Sequence, residues 1–494
     1  MQLPFGEWLP DQPDHLNPGA TVATNVYHAQ SSYKPVKGLV AYSGASNVTQ
    51  NAKGAGSFRD NTNTVFTFVG TKDNIYKLTS GTFASVKGSL TISGGDTDFF
   101  TFTQFGQFVI ASNGVNPPMY YEMGTSTNFA TLQTLANAQG IGTVPAKFKT
   151  SGVIRDFLVT GNIENAKNRV AWSGLNDIST WEAGVKSSDT QDLPGSGGQV
   201  VAITSGEVGY VFREDQVIRM DFVGGNVVFR FSVISPNRGA VYGQTVCQDN
   251  RQVFFYASDG FFQINGDQIL PIGAEKVNRF FDGDLNKAYT DRITAAVDPF
   301  NTLAIWLYPS KDNPNTTGVC DKLLIYNYVT QKWSVAKVKA SQIFKQFVVA
   351  NTVELMDIIS ENLDDINISL DTAFWTTGHL YLGAIDENFK AAIFSGKTLE
   401  AELETKEQEI FPGLRANVTG IRPIVDASAN VTIKTRDKLA DTVTTSASSS
   451  MNDTGINPVR QSGRYFRANV KIPAESIWTN AQGIDLTASQ GGSR

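Results

Sequence analysis

Residues 252–264 read QVFFYASDGFFQI. An apolar, aromatic run enters a polar turn built on Asp259 and Gly260, and a second aromatic run leaves it. Aromatic and β-branched residues suit a pleated strand, and Asp-Gly supplies the backbone conformations of a tight turn, so the stretch predicts a β-hairpin.

The same pattern recurs along the chain. It appears at 64–78 (TVFTFVGTKDNIYKL), 107–121 (QFVIASNGVNPPMYY), 156–173 (DFLVTGNIENAKNRVAWS) and 209–220 (GYVFREDQVIRM). After 252–264 it returns at 302–328, where TLAIWLYP meets KLLIYNY across a polar insert, and at 372–382 (TAFWTTGHLYL). The starts at 64, 107, 156, 209, 252, 302 and 372 are 43, 49, 53, 43, 50 and 70 residues apart. Units of about 40–50 residues with a central hairpin are the mark of propeller blades, each needing neighbours to bury its faces. The expected fold is therefore all-β: a β-propeller of six or seven blades. A pair of β-sandwiches is the competing fold, but it does not predict one similar hairpin at each of five consecutive steps. The last step is too long for one blade, so residues 351–371 are expected to be an insert.

Two regions fall outside the repeat. Residues 1–36 carry Pro4, Pro10, Pro13, Pro18 and Pro35 with little periodicity, which reads as an extended N-terminal arm lying against something else. The propeller is assigned to 37–396. Residues 397–494 are expected to form a small, separate C-terminal β domain. Its strands are LEAELET, VTGIRPIVD, ANVTIKTRD, RYFRANVKIP and GIDLTAS, with the loop SASSSMN at 446–452 between them. In LEAELET, Leu399, Ala401 and Leu403 alternate with acidic residues as in a half-buried strand, although Leu399 and Leu403 also fit one face of a helix.

Composition narrows the function classes. The chain has 494 residues, 31 Phe, 15 Tyr, 7 Trp and 44 Gly, a balance that leans towards strands and turns. Lys and Arg number 41 against 47 Asp and Glu, net −6, whereas a static grip on nucleic acid is normally basic. Cys247 and Cys320 are not in a CxxC pair and read as two separate buried thiols. The first 20 residues lack the basic and apolar regions of a signal peptide, and no apolar run approaches the ~20 residues of a membrane helix. The expectation is a chain made in a cytoplasm with no stable membrane insertion.

Chemistry-bearing motifs are scarce. His15, His28 and His379 form neither HExxH nor a zinc pattern, and read as surface or packing residues. Gly195-Ser196-Gly197-Gly198 lacks the GxxxxGK[ST] or GxGxxG of a phosphate cradle and reads as a loop between blades. Asp282-Gly283-Asp284 resembles the start of a calcium loop, but the twelfth position is Ile293 where Glu is needed. The segment Tyr256-Ala257-Ser258-Asp259-Gly260 lacks sialidase-repeat spacing, so an axial acid pair for glycoside hydrolysis has only the fold's permissiveness behind it. The basic-aromatic run 460–471, RQSGRYFRANVK, could stack bases, but is read as a strand with Tyr465 and Phe466 on opposite faces. No catalytic, cofactor-binding or metal residue is assigned, no cofactor is expected, and the chain is not read as an enzyme.

A set of short motifs, in order, carries a resemblance. They are Leu9-Pro10-Asp11-Gln12-Pro13, Asn17-Pro18-Gly19-Ala20-Thr21, Asn25-Val26-Tyr27 and Gly38-Leu39, then Asn168-Arg169-Val170-Ala171-Trp172-Ser173-Gly174 with Trp181 and Gln191-Asp192-Leu193-Pro194. Ser258-Asp259-Gly260-Phe261-Phe262, Pro271-Ile272-Gly273-Ala274-Glu275-Lys276-Val277-Asn278, Gly463-Arg464-Tyr465-Phe466-Arg467-Ala468 and Gly483-Ile484-Asp485 follow. Over nearly the whole chain this resembles the tail nozzle proteins of short-tailed bacteriophages, also described as tail hub proteins, tail tubular protein B or packaged-DNA stabilisation proteins. The resemblance implies a structural virion subunit in a homo-hexameric ring below the portal and adaptor. Such a ring continues the DNA channel without sequence-specific binding, helps retain packaged DNA, and anchors fibres or spikes. It implies localisation in the virion tail after synthesis in the host cytoplasm. A carbohydrate-binding or glycoside-hydrolysing propeller is the alternative.

Overall fold

The computed structural model describes residues 1–15, 17–41, 48–79, 81–225, 227–249, 252–313, 318–347 and 380–492. Five consecutive sheets of four antiparallel strands lead the chain round a ring. Blade one holds Ala55–Arg59, Val65–Gly70, Ile75–Thr79 and Thr82–Ser85; blade two holds Thr101–Phe105, Phe108–Ser112, Met119–Glu122 and Ala130–Thr131. Blade three is Phe148–Ile154, Phe157–Ile163, Ala166–Trp172 and Asp189–Asp192; blade four is Val200–Ile203, Val208–Arg213, Val217–Phe222 and Phe229–Ser235. Blade five is Cys247–Asp249, Gln252–Ala257, Gly260–Asn265 and Gln268–Pro271.

Blades six and seven share a strand. Thr294–Asp298, Leu303–Tyr308 and Cys320–Asn327 are followed by Lys332–Phe347, sixteen residues long. Its first part pairs with Cys320–Asn327 as the outer strand of blade six (Leu324 opposite Val335), and its second part pairs with Leu380–Asp386 (Ile343 opposite Ala384) as the inner strand of blade seven. Ala391–Ile393 continues blade seven, and Val40–Ala41, from the other end of the chain, completes it (Ile393 opposite Val40).

Seven apolar clusters lie between successive blades and close the ring. Phe68 and Tyr121 join blades one and two, Ile110 and Leu158 two and three, Trp172 and Met220 three and four, and Phe212 and Phe255 four and five. Phe261 and Trp333 join five and six, Ile305 and Ile343 six and seven, and Phe344 meets Val69 between seven and one. Burial on both sides explains why hairpins such as 252–264 carry aromatics without strict alternation: Phe254, Phe255, Phe261 and Phe262 are all buried. Each such side chain contributes about 1.5–3 kcal/mol when withdrawn from water. The propeller is thus seven-bladed, within the expected range, and six of the seven expected hairpins are the second and third strands of their blades. Of the hairpin at 372–382, residues 372–379 lie outside the described residues, as does the expected insert at 351–371. The remaining part, from Leu380, pairs with Lys332–Phe347.

The flanking regions depart from expectation. Residues 1–36 are more than an extended arm: they form the strands Gln2–Pro4, Val22–Thr24, Val26–Ala29 and Ser32–Pro35. Pro4 and Pro35 each end a strand, where a missing N–H is tolerated. Nor is the C-terminal region separate. One of its sheets runs Val26–Ala29, Ser32–Pro35, Ala481–Gln490, Ala416–Val425, Asn457–Gly463, with Gln2–Pro4 also on Ala481–Gln490. The other runs Val22–Thr24, Ala401–Glu404, Tyr465–Ile472, Asn430–Arg436. Val22–Thr24 also bridges to blade six, Thr24 opposite Val335, so propeller and C-terminal sheets are joined through the arm. LEAELET is a strand, with Ala401 and Leu403 fully buried. Within 446–452, Ser449–Ser450 pairs with Asn430 and Val431.

Candidate functional site at the arm junction

The residues that pack blade five on blade six are mostly aromatic. Phe261 touches Phe281, Trp306 and Trp333 edge-on or tilted, with ring centroids 4.8–5.3 Å apart. Both indoles are buried and both are satisfied: Trp306 Nε1 donates to the Thr245 carbonyl (3.0 Å) and Trp333 Nε1 to the Ile272 carbonyl (2.8 Å). Buried indole N–H groups need such acceptors, and these two tie the blades by main chain as well as by ring contact.

The Asp259-Gly260 turn is locked against the helix Asn278–Asp284. Gly260 has φ +133°, and a Cβ there would lie 2.0 Å from Asn278 Nδ2. Asn278 Nδ2 donates to the Asp259 carbonyl (3.3 Å) and its Oδ1 accepts from Phe261 N–H (3.4 Å). SDGFF and PIGAEKVN are therefore two halves of one local structure.

The arm docks on the same helix. The Asp11 carboxylate accepts from the N–H groups of Arg279 (2.8 Å) and Phe280 (2.7 Å), satisfying donors that the first turn leaves unpaired. Asp11 N–H bonds the Lys276 carbonyl (3.2 Å), Gln12 Nε2 the Glu275 carbonyl (2.7 Å), and Glu7 pairs with Lys276 Nζ (2.6 Å). Asn17 folds the arm on itself, donating from Nδ2 to the Leu9 carbonyl and accepting Gly19 N–H. Gly19 is required there, because a Cβ would sit 1.9 Å from the Glu7 carbonyl oxygen.

Asn25 (φ +58°) makes the second attachment. Its N–H donates to Val335 O (2.8 Å), its Oδ1 accepts Lys337 N–H (2.7 Å), and its Nδ2 donates to Glu400 O (2.7 Å). One side chain thus holds the outer strand of blade six to the first segment of the C-terminal sheets. Between these attachments lies an open cleft of about 270 Å³, lined by Trp8, Thr21, Val22, Phe280, Val335 and Lys337 among others.

Two buried carboxylates complete the junction. Glu404 accepts from Thr21 Oγ1 (2.9 Å), Lys434 Nζ (2.5 Å) and Asn469 Nδ2 (3.1 Å), and Glu407 accepts from Arg436. Arg467 lies between them, 3.6 Å from Glu404 and 3.8 Å from Glu407, and reaches Asp14 of the arm at 3.0 Å. Buried charges persist only when so compensated. Arg467 and Phe466 of the basic-aromatic run are therefore interior residues, and a base-stacking surface does not form on them.

The remaining sequence candidates take structural places. His28 is buried on Val26–Ala29 with Nε2 3.0 Å from Lys332 Nζ; burial, then the neighbouring cation, pushes its pKa down to about 4. His15 rests edge-on against Tyr465 (5.8 Å), and His379 lies outside the described residues. Asp284 is taken up by Lys322 (2.8 Å) and the Tyr308 hydroxyl (2.8 Å), and Asp282 pairs with Lys287 (2.7 Å). The loop at Gly195 presents carbonyls inward: Arg213, 2% exposed, donates to the carbonyls of Pro194, Gly195 and Gly198. A phosphate cradle needs the opposite polarity, N–H groups facing the ligand. Cys247 and Cys320 are buried free thiols; burial pushes Cys247 up to about 12 and Cys320 higher still. Among the described residues no group of three His, Cys, Asp or Glu side chains is arranged to hold a metal, and no helix is long and apolar enough to cross a membrane.

Asp11, Asn25, Glu404 and Glu407 were not singled out by sequence as junction residues, nor Arg213 as the residue that holds the loop at Gly195. Asp11 and Asn25 fell within quoted motifs, but their partners are about 270 and 310 residues away, a relation no local pattern encodes.

No family model and no curated protein matches the chain. Among solved structures it is similar to a chain of a mitotic checkpoint complex (TM-score 0.39, 9% identity, covering 74% of this chain and 94% of that one). It is also similar to the extracellular domain of a putative one-component system from B. thetaiotaomicron (0.39, 11%, 78% of this chain and 44% of that one). A third is the WD40 domain of Pan2 from Neurospora crassa (0.36, 10%, 66% and 91%). Fold and blade count rest on this chain's own sheets.

Proposed function

We propose that the chain is a structural virion subunit, forming the nozzle or hub ring of a short-tailed phage tail. The observation that carries this reading is the convergence of its motifs. Segment 9–13 of the arm docks on 275–280, next to the Asn278 that locks the 258–262 turn of blade five, segment 17–21 folds back on it, and Asn25 joins blade six to the first segment of the C-terminal sheets. The resemblance rests in part on those segments, and motifs that lie apart along the chain come together at this junction. A conduit subunit must transmit force from propeller to flanking sheets without hinging, and a joint made of strand pairing, capping and buried ion pairs suits that task. Charge suits it too: six copies at −6 would carry about −36, which lets DNA slide without adhering. The same reading places the subunit below a portal and adaptor and makes it an anchor for fibres or spikes.

Native mass spectrometry of the purified chain, alone and with a portal–adaptor ring, tests the proposal. Hexamers, or hexameric addition to the ring, are expected. Monomers under both conditions overturn it. A glycan array read in parallel addresses the carbohydrate-active alternative, which requires binding or hydrolysis there.

A further inference from the structure

The open cleft of about 270 Å³ at the arm junction is built from three separate parts of the chain. Trp8, Pro10 and Val22 of the arm, Phe280 of the helix and Val335 of blade six supply apolar walls. These walls are held from behind. The Trp8 ring stands edge-on to Phe280 at 4.9 Å and its Nε1 donates to Thr21 O (3.3 Å), while Thr24 pairs with Val335. A pocket whose walls are fixed before a ligand arrives loses little on binding.

One face of blade six brings charge to the cleft. Tyr308, Lys322 and Lys337 lie opposite one another on three neighbouring strands. Lys322 and Lys337 are thus like charges directly opposed, an arrangement that costs stability unless it is compensated. Asp284 compensates the first: its carboxylate accepts from Lys322 Nζ (2.8 and 2.9 Å) and from the Tyr308 hydroxyl (2.8 Å). Lys337 has no such acid. Its main-chain N–H is tied to Asn25, but among the described residues no hydrogen bond or ion pair reaches its ammonium. Glu402, opposite Thr24 on the next strand, is already held by Asn469 (2.8 Å) and Lys471 (3.7 Å). The Thr24 hydroxyl, also at the cleft, makes no hydrogen bond among the described residues.

We propose that this cleft binds a small amphiphilic anion, a carboxylate carried on a compact aromatic or aliphatic body. The carboxylate pairs with Lys337 and accepts from the Thr24 hydroxyl, which relieves the opposed charges. The body lies against Trp8, Phe280 and Val335. The sign of the charge decides against a cation, and the apolar walls decide against a bare, strongly hydrated phosphate. The cleft lies within one chain, so the inference does not depend on the nozzle reading.

The test is isothermal titration calorimetry of the full chain with 1-naphthoate, and with 1-naphthamide as its uncharged counterpart. Saturable binding of 1-naphthoate with a Kd of about 1 mM or tighter is expected, weakening as salt is raised. The amide should bind about fivefold more weakly or less. Lys337→Gln is expected to abolish the preference for 1-naphthoate, and Lys337→Arg to keep it. Lys337 is exposed, so neither variant should alter the melting temperature appreciably. Amide hydrogen exchange across 334–338 should slow when 1-naphthoate is added. No binding of 1-naphthoate at several millimolar, equal binding of the two compounds, or a preference that survives Lys337→Gln overturns the proposal. So does protection of 334–338 that rises with protein concentration alone, which would make a second copy of the chain the occupant.

Discussion

The carboxylate of Asp11 caps the main chain at Arg279, 2.8 Å from its N–H and 268 residues away in sequence. Through this contact the first dozen residues hold the turn of blade five in place. Replacing Asp11 by Ala leaves two donors of the helix Asn278–Asp284 without partners, at a cost of about 1–2 kcal/mol. Chemical denaturation should show that loss, and hydrogen exchange should quicken at Arg279 and Phe280. Asp11→Asn, which keeps an acceptor, should lose less.

Gly260→Ala meets two obstacles, a positive φ and the Asn278 side chain. Strain of about 1–3 kcal/mol is expected from the backbone, before any displacement of Asn278. The melting temperature should fall accordingly. In the double variant with Asn278→Ala the deficit should shrink only in part, because the backbone strain remains.

Trp333→Ala opens a cavity between blades five and six and orphans the Ile272 carbonyl. A loss of about 3–5 kcal/mol is expected. Trp333→Phe keeps most of the packing and should lose less, and the difference reports the indole hydrogen bond together with the volume lost.

His28 makes a prediction about pH. Its folded pKa, about 4, lies below the ~6.5 of an unfolded histidine, so the unfolded chain binds this proton more readily. Stability from this group is fully present above about pH 6.5 and declines as pH falls towards 4, by on the order of 2–3 kcal/mol in all. Denaturation at pH 7.5 and 4.5 should show a smaller difference for His28→Gln than for the unaltered chain. Equal differences would remove His28 as the source.

Six hairpins were legible because the second and third strands of each blade are long, aromatic and joined by recognisable turns, as at Asp259-Gly260. Inner strands such as VVAI at Val200–Ile203 and TAAVD at Thr294–Asp298 are short and built of small residues, so their period cannot be read. The strands within 1–36 are illegible for a related reason. Strands of three and four residues interrupted by proline have no periodicity of their own, and they become strands because Ala481–Gln490 and Ala401–Glu404 offer them an edge.

Local chemistry determined that this chain is a β-repeat protein with blade-length spacing, since strand patterning and turn residues act over a few positions. Tertiary structure decided the blade count, because blade seven is assembled from Lys332–Phe347, Leu380–Asp386, Ala391–Ile393 and Val40–Ala41, and only ring closure brings these together. It also decided that arm, propeller and C-terminal sheets form one joined body. The partners of Asp11, Asn25 and Glu404 are chosen by long-range packing, and no short-range preference specifies a contact hundreds of residues away.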